Sequence, residues 1–98
     1  MRSLALSLIK HGKITTTEAK AKELRPYIDR LVTKAKAGSV ASRRLLLSRL
    51  YNQEKAVSKL ISELAPKYSD RNGGYTRVLK LSTKRKGDAS GMAVIEFV

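Results

Sequence analysis

The side chains that most often carry out enzymatic or metal chemistry are scarce in this sequence. Its 98 residues include one histidine, His11, and no cysteine. Lys10 and Lys13 flank His11, and no carboxylate stands near it in the sequence to act with it in general-base catalysis. One histidine without cysteine also cannot form the soft-ligand sites that zinc prefers. We therefore expect no catalytic residue, no metal, no cofactor and no small-molecule substrate, so the protein is not expected to be an enzyme.

The basic side chains carry most of the information about a partner. Lysine and arginine number 21 against 8 acidic residues, which gives a net charge of +13. Between Asp29 and Glu54, and again between Asp70 and Asp88, every charged residue is a cation. A solvated surface usually mixes both signs. We interpret the two stretches as phosphate-binding surfaces of a nucleic-acid-binding protein, with a merely solubilising surface as the alternative.

The most distinctive segment runs from Asp70 to Arg77 and contains a Gly-Gly pair followed by an aromatic residue. Gly73 and Gly74 allow positive φ angles and a close approach of the backbone. Tyr75 is of a type that stacks on bases, and the flanking arginines can pair with phosphates. The structural alternative is a turn that enters a strand with Tyr75 half-buried. One aromatic is too few for a single-strand module, so recognition of A-form RNA by shape fits better.

The length allows one domain, and the apolar pattern predicts an α+β fold. No apolar run is long enough to cross a membrane, and residues 1–9 lack the features of a signal peptide. Helices are predicted over 1–11, from Thr15–Thr17 to Gly38, over 40–51 and from Asn52 to the residues before Pro66. Strands are predicted over 13–15, 75–81 and 92–98, with a loop over 82–91.

Details of these elements follow from particular residue types. Pro26 predicts a kink in the second helix, or two helical pieces, because proline removes a hydrogen bond. Glycines at 12 and 38 should end helices, and Ser39 should cap the next one. The last two strands should form an antiparallel hairpin on the helices, and the first strand could pair with either of them. The residues predicted to face the core are Leu4, Ala5, Leu8, Ile9, Leu24, Ile28, Leu31, Ala35, Val40, Leu47, Leu50, Tyr51, Val57, Leu60, Ile61, Leu64, Ala93, Ile95 and Phe97.

Four stretches, in order along the whole chain, resemble those of one protein family. The first has the family's Ser-Leu-x-x-His-x-x-Ile-x-Thr-Thr pattern, and together the four make the resemblance specific. The family is the bacterial and organellar large-subunit ribosomal protein bL17. The matching stretches are Ser7–Thr17, Lys20–Arg25, Ser39–Leu45 and Arg71–Val78.

The resemblance implies a two-layer α/β domain of order α-β-α-α-α-β-β, with residues 1–98 forming a single ribosomal RNA-binding domain. It also implies binding to large-subunit ribosomal RNA near the end of the peptide exit tunnel, with neighbouring ribosomal proteins as partners and no membrane. The expected location is the cytoplasmic ribosome, with an organellar ribosome as the alternative. The RNA-binding residues that it implies are Lys10, His11, Lys13, Thr15, Thr16, Lys20, Lys22, Arg43, Arg44, Arg71, Gly73, Gly74, Tyr75, Thr76, Arg77 and Lys80.

Two points separate this chain from a simple match. Lys84, Arg85 and Lys86 lie in a loop that varies within the family, so their candidacy for RNA binding depends on charge alone. Family members usually begin with a basic arm, whereas this sequence starts inside the first helix. This sequence is therefore not expected to make the RNA contacts of the arm.

The competing hypothesis is a DNA-binding helix pair over 40–64, which leaves the Gly-Gly-Tyr segment without a role.

Overall fold

The helices and strands occur in the predicted α+β order. The computed structural model describes residues 1–84 and 91–98, and Arg85 and Lys86 therefore lie outside the described residues. A π-helical turn joins the two short helices α4 and α5 into one continuous helical segment. The elements are α1 (Arg2–His11), β1 (Lys13–Thr17), α2 (Glu18–Ala37), α3 (Val40–Arg49), α4 (Glu54–Lys59), the π-helical turn (Leu60–Leu64), α5 (Ala65–Lys67), β2 (Thr76–Lys84) and β3 (Gly91–Phe97).

Local sequence signals account for most helix ends. Gly12 follows α1 with a φ of 82°, and its amide donates a hydrogen bond to the Leu8 carbonyl at 2.7 Å. Gly38 ends α2 with a φ of 66°. The Ser39 hydroxyl caps α3 by accepting a hydrogen bond from the Ser42 amide at 3.0 Å. Among the three threonines before α2, Thr17 is the cap. These ends were predicted and are confirmed.

Proline broke neither of the helical segments that contain it. α2 runs without interruption from Glu18 to Ala37, so the prediction of two helical pieces at Pro26 was wrong. Burial of Leu24 and Ile28 on either side of the exposed Pro26 stabilises the helix against the lost hydrogen bond. Pro66 was expected beyond a helix end but lies inside α5. It directly follows Ala65, whose amide donates a hydrogen bond back to the Leu60 carbonyl in the π-helical turn, and the helix ends one residue later at Lys67.

The apolar face of α3 differs from the predicted one. Leu46 and Leu50 are buried, whereas Val40 is 69% exposed and Tyr51 is 52% exposed. Val40 lies in the first turn, outside the core, because the stripe that packs on α2 and α4 comes later in the helix. Tyr51 follows the end of the helix, where the backbone turns away. The next helix begins at Glu54 with Gln53, not Asn52, at its N-cap.

The sheet has the order β1-β3-β2, and all its pairs are antiparallel. β3 is therefore the central strand, and the first strand pairs with the last one, a point that the sequence left open. β2 extends to Lys84, which pairs with Gly91, so residues 82–84 belong to a strand and not to the predicted loop. Ala93 and Ile95 of β3 are buried against the helices, as predicted, and Phe97 is partly buried.

One helix organises the core. α2 contacts α1, α3, α5 and all three strands, and it supplies six buried apolar residues. Because so many elements pack on α2, residues on its other faces have fixed positions relative to the sheet and to the turn before β2. The buried residues of α2 are Ala21, Leu24, Ile28, Leu31, Val32 and Ala35.

Within the described residues, no helix is both long and apolar enough to span a membrane.

Candidate nucleic-acid interface

The turn before β2 is held against the side of α2 by one carboxylate. The Asp29 side chain accepts hydrogen bonds from the backbone amides of Gly74 and Tyr75, each at 3.4 Å. Gly73 and Gly74 have φ angles of 94° and 64°, which confirms the predicted positive φ. Glycine adopts those angles without strain, and a Cβ at either position would meet no atom within 4 Å. The Gly-Gly pair therefore gives the turn its shape through its φ angles and not through a close approach to the helix.

Two further side chains of α2 complete this attachment. Thr33 and Lys36 follow Asp29 at i+4 and i+7, so the three share one face of the helix. The Lys36 ammonium donates to the Arg71 carbonyl and lies 3.4 Å from the Tyr75 hydroxyl. That hydroxyl donates to the Arg71 carbonyl at 3.1 Å and lies 3.4 Å from the Thr33 hydroxyl. The hydrogen bond with Thr33, followed by those with Gly73 and Lys36, lowers the pKa of Tyr75 despite its burial.

The ring of Tyr75 belongs to the core. It is 1% exposed, and its centroid lies 5.3 Å from that of Tyr68. In this structure the ring is therefore not open to a base, and its candidacy for RNA binding stays a prediction. The side chains of Thr16 and Thr76 are buried as well. Any RNA contact at these three positions would have to use the backbone.

Arg71 is the exposed cation of the docked turn. Its guanidinium donates a hydrogen bond from Nη1 to the Gly74 carbonyl at 2.9 Å. This bond fixes the orientation of the guanidinium while the side chain stays on the surface. A guanidinium has five N–H donors, so others remain to meet a phosphate. Arg71 is therefore an oriented phosphate-binding candidate.

The fold brings acids to Lys80 and Arg77, which belong to a stretch without acids in the sequence, and pairs Lys22 with an acid of its own helix. Glu18, at the start of α2, lies 3.1 Å from the Lys22 ammonium and 3.3 Å from that of Lys80. The hydrogen bonds with Lys22 and then Lys80 lower the pKa of Glu18. The Arg77 guanidinium is 2.8 Å from the Glu96 carboxylate. Three of the candidate RNA-binding cations therefore have a carboxylate partner.

Other candidates lie where α1 passes into β1. Lys10, His11, Lys13 and Thr15 are exposed. Lys13 lies opposite Glu96, which in turn lies opposite Arg77, so one acid stands between two cations across the outer face of the sheet. The three ion pairs found among residues 1–84 and 91–98 do not involve Lys10 or Lys13. This part of the surface keeps a net positive charge.

The remaining candidates are more widely spread. Lys20 is exposed in the first turn of α2, and Arg44 is exposed in α3 beside the half-buried Arg43. α3 begins just after α2 ends, and a helix of 20 residues spans about 30 Å. The structure therefore places the cations at both ends of α2 and does not gather them into one patch. The backbone of Lys84 belongs to β2.

Sequence reasoning missed the acids that shape this surface. Each of these acids contacts a residue far away in the chain, and no local sequence pattern indicates such a contact. They are Asp29, Glu18 and Glu96. The spacing of Asp29, Thr33 and Lys36 on one helix face was a visible signal, but what would pack on it was not.

Comparison with known proteins agrees with this picture. A family model described as ribosomal protein L17 matches residues 1–98. Large ribosomal subunit protein bL17 of Persephonella marina is 57% identical over 96 residues, covering 98% of this chain and 77% of that protein. The bL17 proteins of Hydrogenobaculum sp. and Thermus thermophilus are 55% and 53% identical, covering 100% and 99% of this chain and 82% and 81% of theirs. These are the names of ribosomal proteins and not of enzymes, as predicted. The chain belongs to the ribosomal protein L17 family.

Proposed function

We propose that this chain is a structural constituent of the large ribosomal subunit and binds large-subunit ribosomal RNA through shape-directed phosphate contacts. In this role it helps to assemble the region near the peptide exit tunnel and so supports translation. Its other partners are neighbouring ribosomal proteins, and it acts in the bacterial cytoplasm. Family membership and the names of the relatives support the ribosomal part of the proposal.

The observation that carries RNA binding is the excess of exposed cations on a rigid scaffold. The net charge is +13, and Lys10, Lys13, Lys20, Arg44 and Arg71 are exposed on different elements that pack together. Because these elements pack on one another around α2, the backbone positions that carry the cations keep set spacings. Fixed, well-separated cations suit the phosphate rows of a folded RNA better than a single groove would.

The geometry of the docked turn supports backbone contact over base reading there. Tyr75 is buried, whereas the guanidinium of Arg71 is exposed and oriented by the Gly74 carbonyl. An oriented guanidinium recognises phosphate through paired N–H groups, independent of sequence. Specificity would then come from the shape of the RNA.

Binding of the full chain to large-subunit ribosomal RNA and to duplex DNA of equal length, over a salt series, tests the proposal. We expect a clear preference for the RNA that persists at physiological salt. Equal binding to both, collapsing as salt rises, would mean non-specific charge attraction and would contradict the proposal.

A pair of variants makes the test residue-specific. Arg71→Gln should weaken RNA binding severalfold and reduce the slope of log affinity against log salt by about one phosphate contact. Lys55→Gln removes the same charge from an exposed position on α4 that is not a candidate. It should change the affinity less, and equal effects would show that only total charge matters.

A further inference from the structure

Tyr51 is an aromatic residue presented to solvent by an unusual backbone. It follows α3 and is 52% exposed. Tyr51 and Asn52 both have positive φ, 55° and 56°, and they are the only residues other than glycine with this conformation in the described parts of the chain. The left-handed conformation is costly for a bulky side chain, and such residues persist where the surroundings enforce them.

The surroundings do enforce this conformation. The Asn52 amide donates to the Leu47 carbonyl at 2.7 Å, and the Gln53 amide donates to the Leu50 carbonyl at 3.1 Å. Leu50, immediately before Tyr51, is fully buried. The backbone is therefore fixed on both sides of Tyr51, and its ring is directed away from the core into which Leu50 packs.

The exposed ring borders an open, basic cleft. The Arg2 guanidinium lies over the Tyr51 ring, 5.4 Å from its centroid. Tyr27, Leu45, Ser48 and Arg49 also line the cleft, whose volume is about 590 Å³. That volume is within the range of sites that hold small organic groups. Among the residues that the structure describes, those lining the cleft include two arginines and no acid, so the cleft favours an anionic ligand.

We propose that this cleft binds one unpaired nucleotide of an RNA, with its base stacked on Tyr51 and its phosphate paired with Arg2 or Arg49. The inference rests on the proposed RNA-binding function and adds a site outside the surface described above. A planar exposed ring suits a base, and a guanidinium can both stack on that ring and pair with a phosphate. Because the backbone at Tyr51 is already fixed, binding does not have to order it, which lowers the entropic cost of binding.

The test uses the full chain with ¹³C-labelled tyrosine and the single-stranded probe hexaadenylate, followed by NMR. We expect upfield shifts of the Tyr51 ring resonances, from the ring current of a stacked base, with little change at the buried Tyr68 and Tyr75. Tyr51→Leu keeps an apolar side chain but removes the aromatic ring. It should lower the affinity for hexaadenylate about tenfold. Absence of a shift at Tyr51, or unchanged affinity in the variant, would overturn the proposal.

An RNA duplex of the same length is the matched probe, since all of its bases are paired. Both the natural chain and Tyr51→Leu should bind it equally, and a loss of duplex binding in the variant would overturn a nucleotide-specific role. The salt series with ribosomal RNA reports separately on the proposed function. If ribosomal RNA is preferred while Tyr51 does not respond to hexaadenylate, this inference alone is wrong.

Discussion

The carboxylate of Glu18 lies 3.3 Å from the ammonium of Lys80, joining the first residue of α2 to the middle of β2. The same carboxylate oxygen is 3.1 Å from Lys22. One acid thus holds two candidate RNA-binding cations at the start of α2. It moderates their charge and limits where their side chains can reach, so RNA must compete with it for both lysines.

Neutralising this acid should strengthen RNA binding. We expect Glu18→Gln to raise the affinity for large-subunit ribosomal RNA about two- to fourfold at low salt, because two lysines lose their internal partner. Glu23→Gln is the control, since it removes the same charge from an exposed position on the same helix. Filter binding measures both, and an equal gain in the two variants would show that local pairing is irrelevant.

The ion pairs of Glu18 also predict how stability depends on pH. Lys22 and Lys80 lower the pKa of Glu18 in the folded chain below its ordinary value. The resulting stability is present above the unfolded-state pKa and is lost as pH falls through the folded-state pKa. The free energy of unfolding of the natural chain should therefore exceed that of Glu18→Gln at pH 7, with the difference fading below about pH 4. Urea unfolding at several pH values measures this, and a difference that grows on acidification would contradict it.

Removing the carboxylate that docks the turn should loosen the turn. Asp29→Ala leaves the amides of Gly74 and Tyr75 without their acceptor, and we expect a loss of about 1 kcal/mol in the free energy of unfolding. Hydrogen exchange at these two amides should become faster. Asp70→Ala removes an exposed acid close to the turn in sequence and serves as the control. Unchanged exchange in Asp29→Ala would show that the helix does not hold the turn.

Tyr75 should behave as a core residue. Because its ring is buried against Tyr68, we expect Tyr75→Ala to lower the free energy of unfolding by about 3–5 kcal/mol. Tyr75→Phe keeps the ring but removes the hydroxyl that meets Thr33, Lys36 and the Arg71 carbonyl, and should cost about 1 kcal/mol. Thermal and urea unfolding measure both. A stable Tyr75→Ala variant that loses RNA affinity would restore the stacking hypothesis.

The positive φ of Tyr51 predicts that a glycine variant is more stable than an alanine variant at this position. Both substitutions remove the ring, but only glycine adopts a φ of 55° without strain. We expect Tyr51→Gly to be about 0.5–1 kcal/mol more stable than Tyr51→Ala, after allowance for the greater freedom of glycine in the unfolded chain. Urea unfolding of the two variants measures the difference. A more stable alanine variant would mean that the backbone is relaxed.

Elements with local signals were predictable from the sequence. Gly12, Gly38 and Ser39 act on the residues next to them, so their effect on helix ends can be seen without the fold. The alternation of Ala93, Ile95 and Phe97 likewise revealed the core face of β3. The family resemblance rested on such stretches and was confirmed over the whole chain.

Features that depend on packing were not predictable in the same way. Pro26 is tolerated because apolar neighbours are buried around it, and the direction of Tyr51 depends on where the chain turns after Leu50. The acids Glu18 and Glu96 reach Lys80 and Arg77 only once α2 and the sheet have assembled. The stretches without acids in the sequence therefore suggested that these cations have no carboxylate partner, whereas in the fold they do.

The central claim is that the candidate residues around α2 recognise RNA. Ultraviolet cross-linking of the chain bound to large-subunit ribosomal RNA tests it most directly, with the linked peptides identified by mass spectrometry. We expect cross-links in the peptides covering 10–22 and 71–80, and we expect them to survive an excess of duplex DNA. Cross-links confined to the exposed lysines of α4 and α5, or lost when duplex DNA is added, would contradict the account.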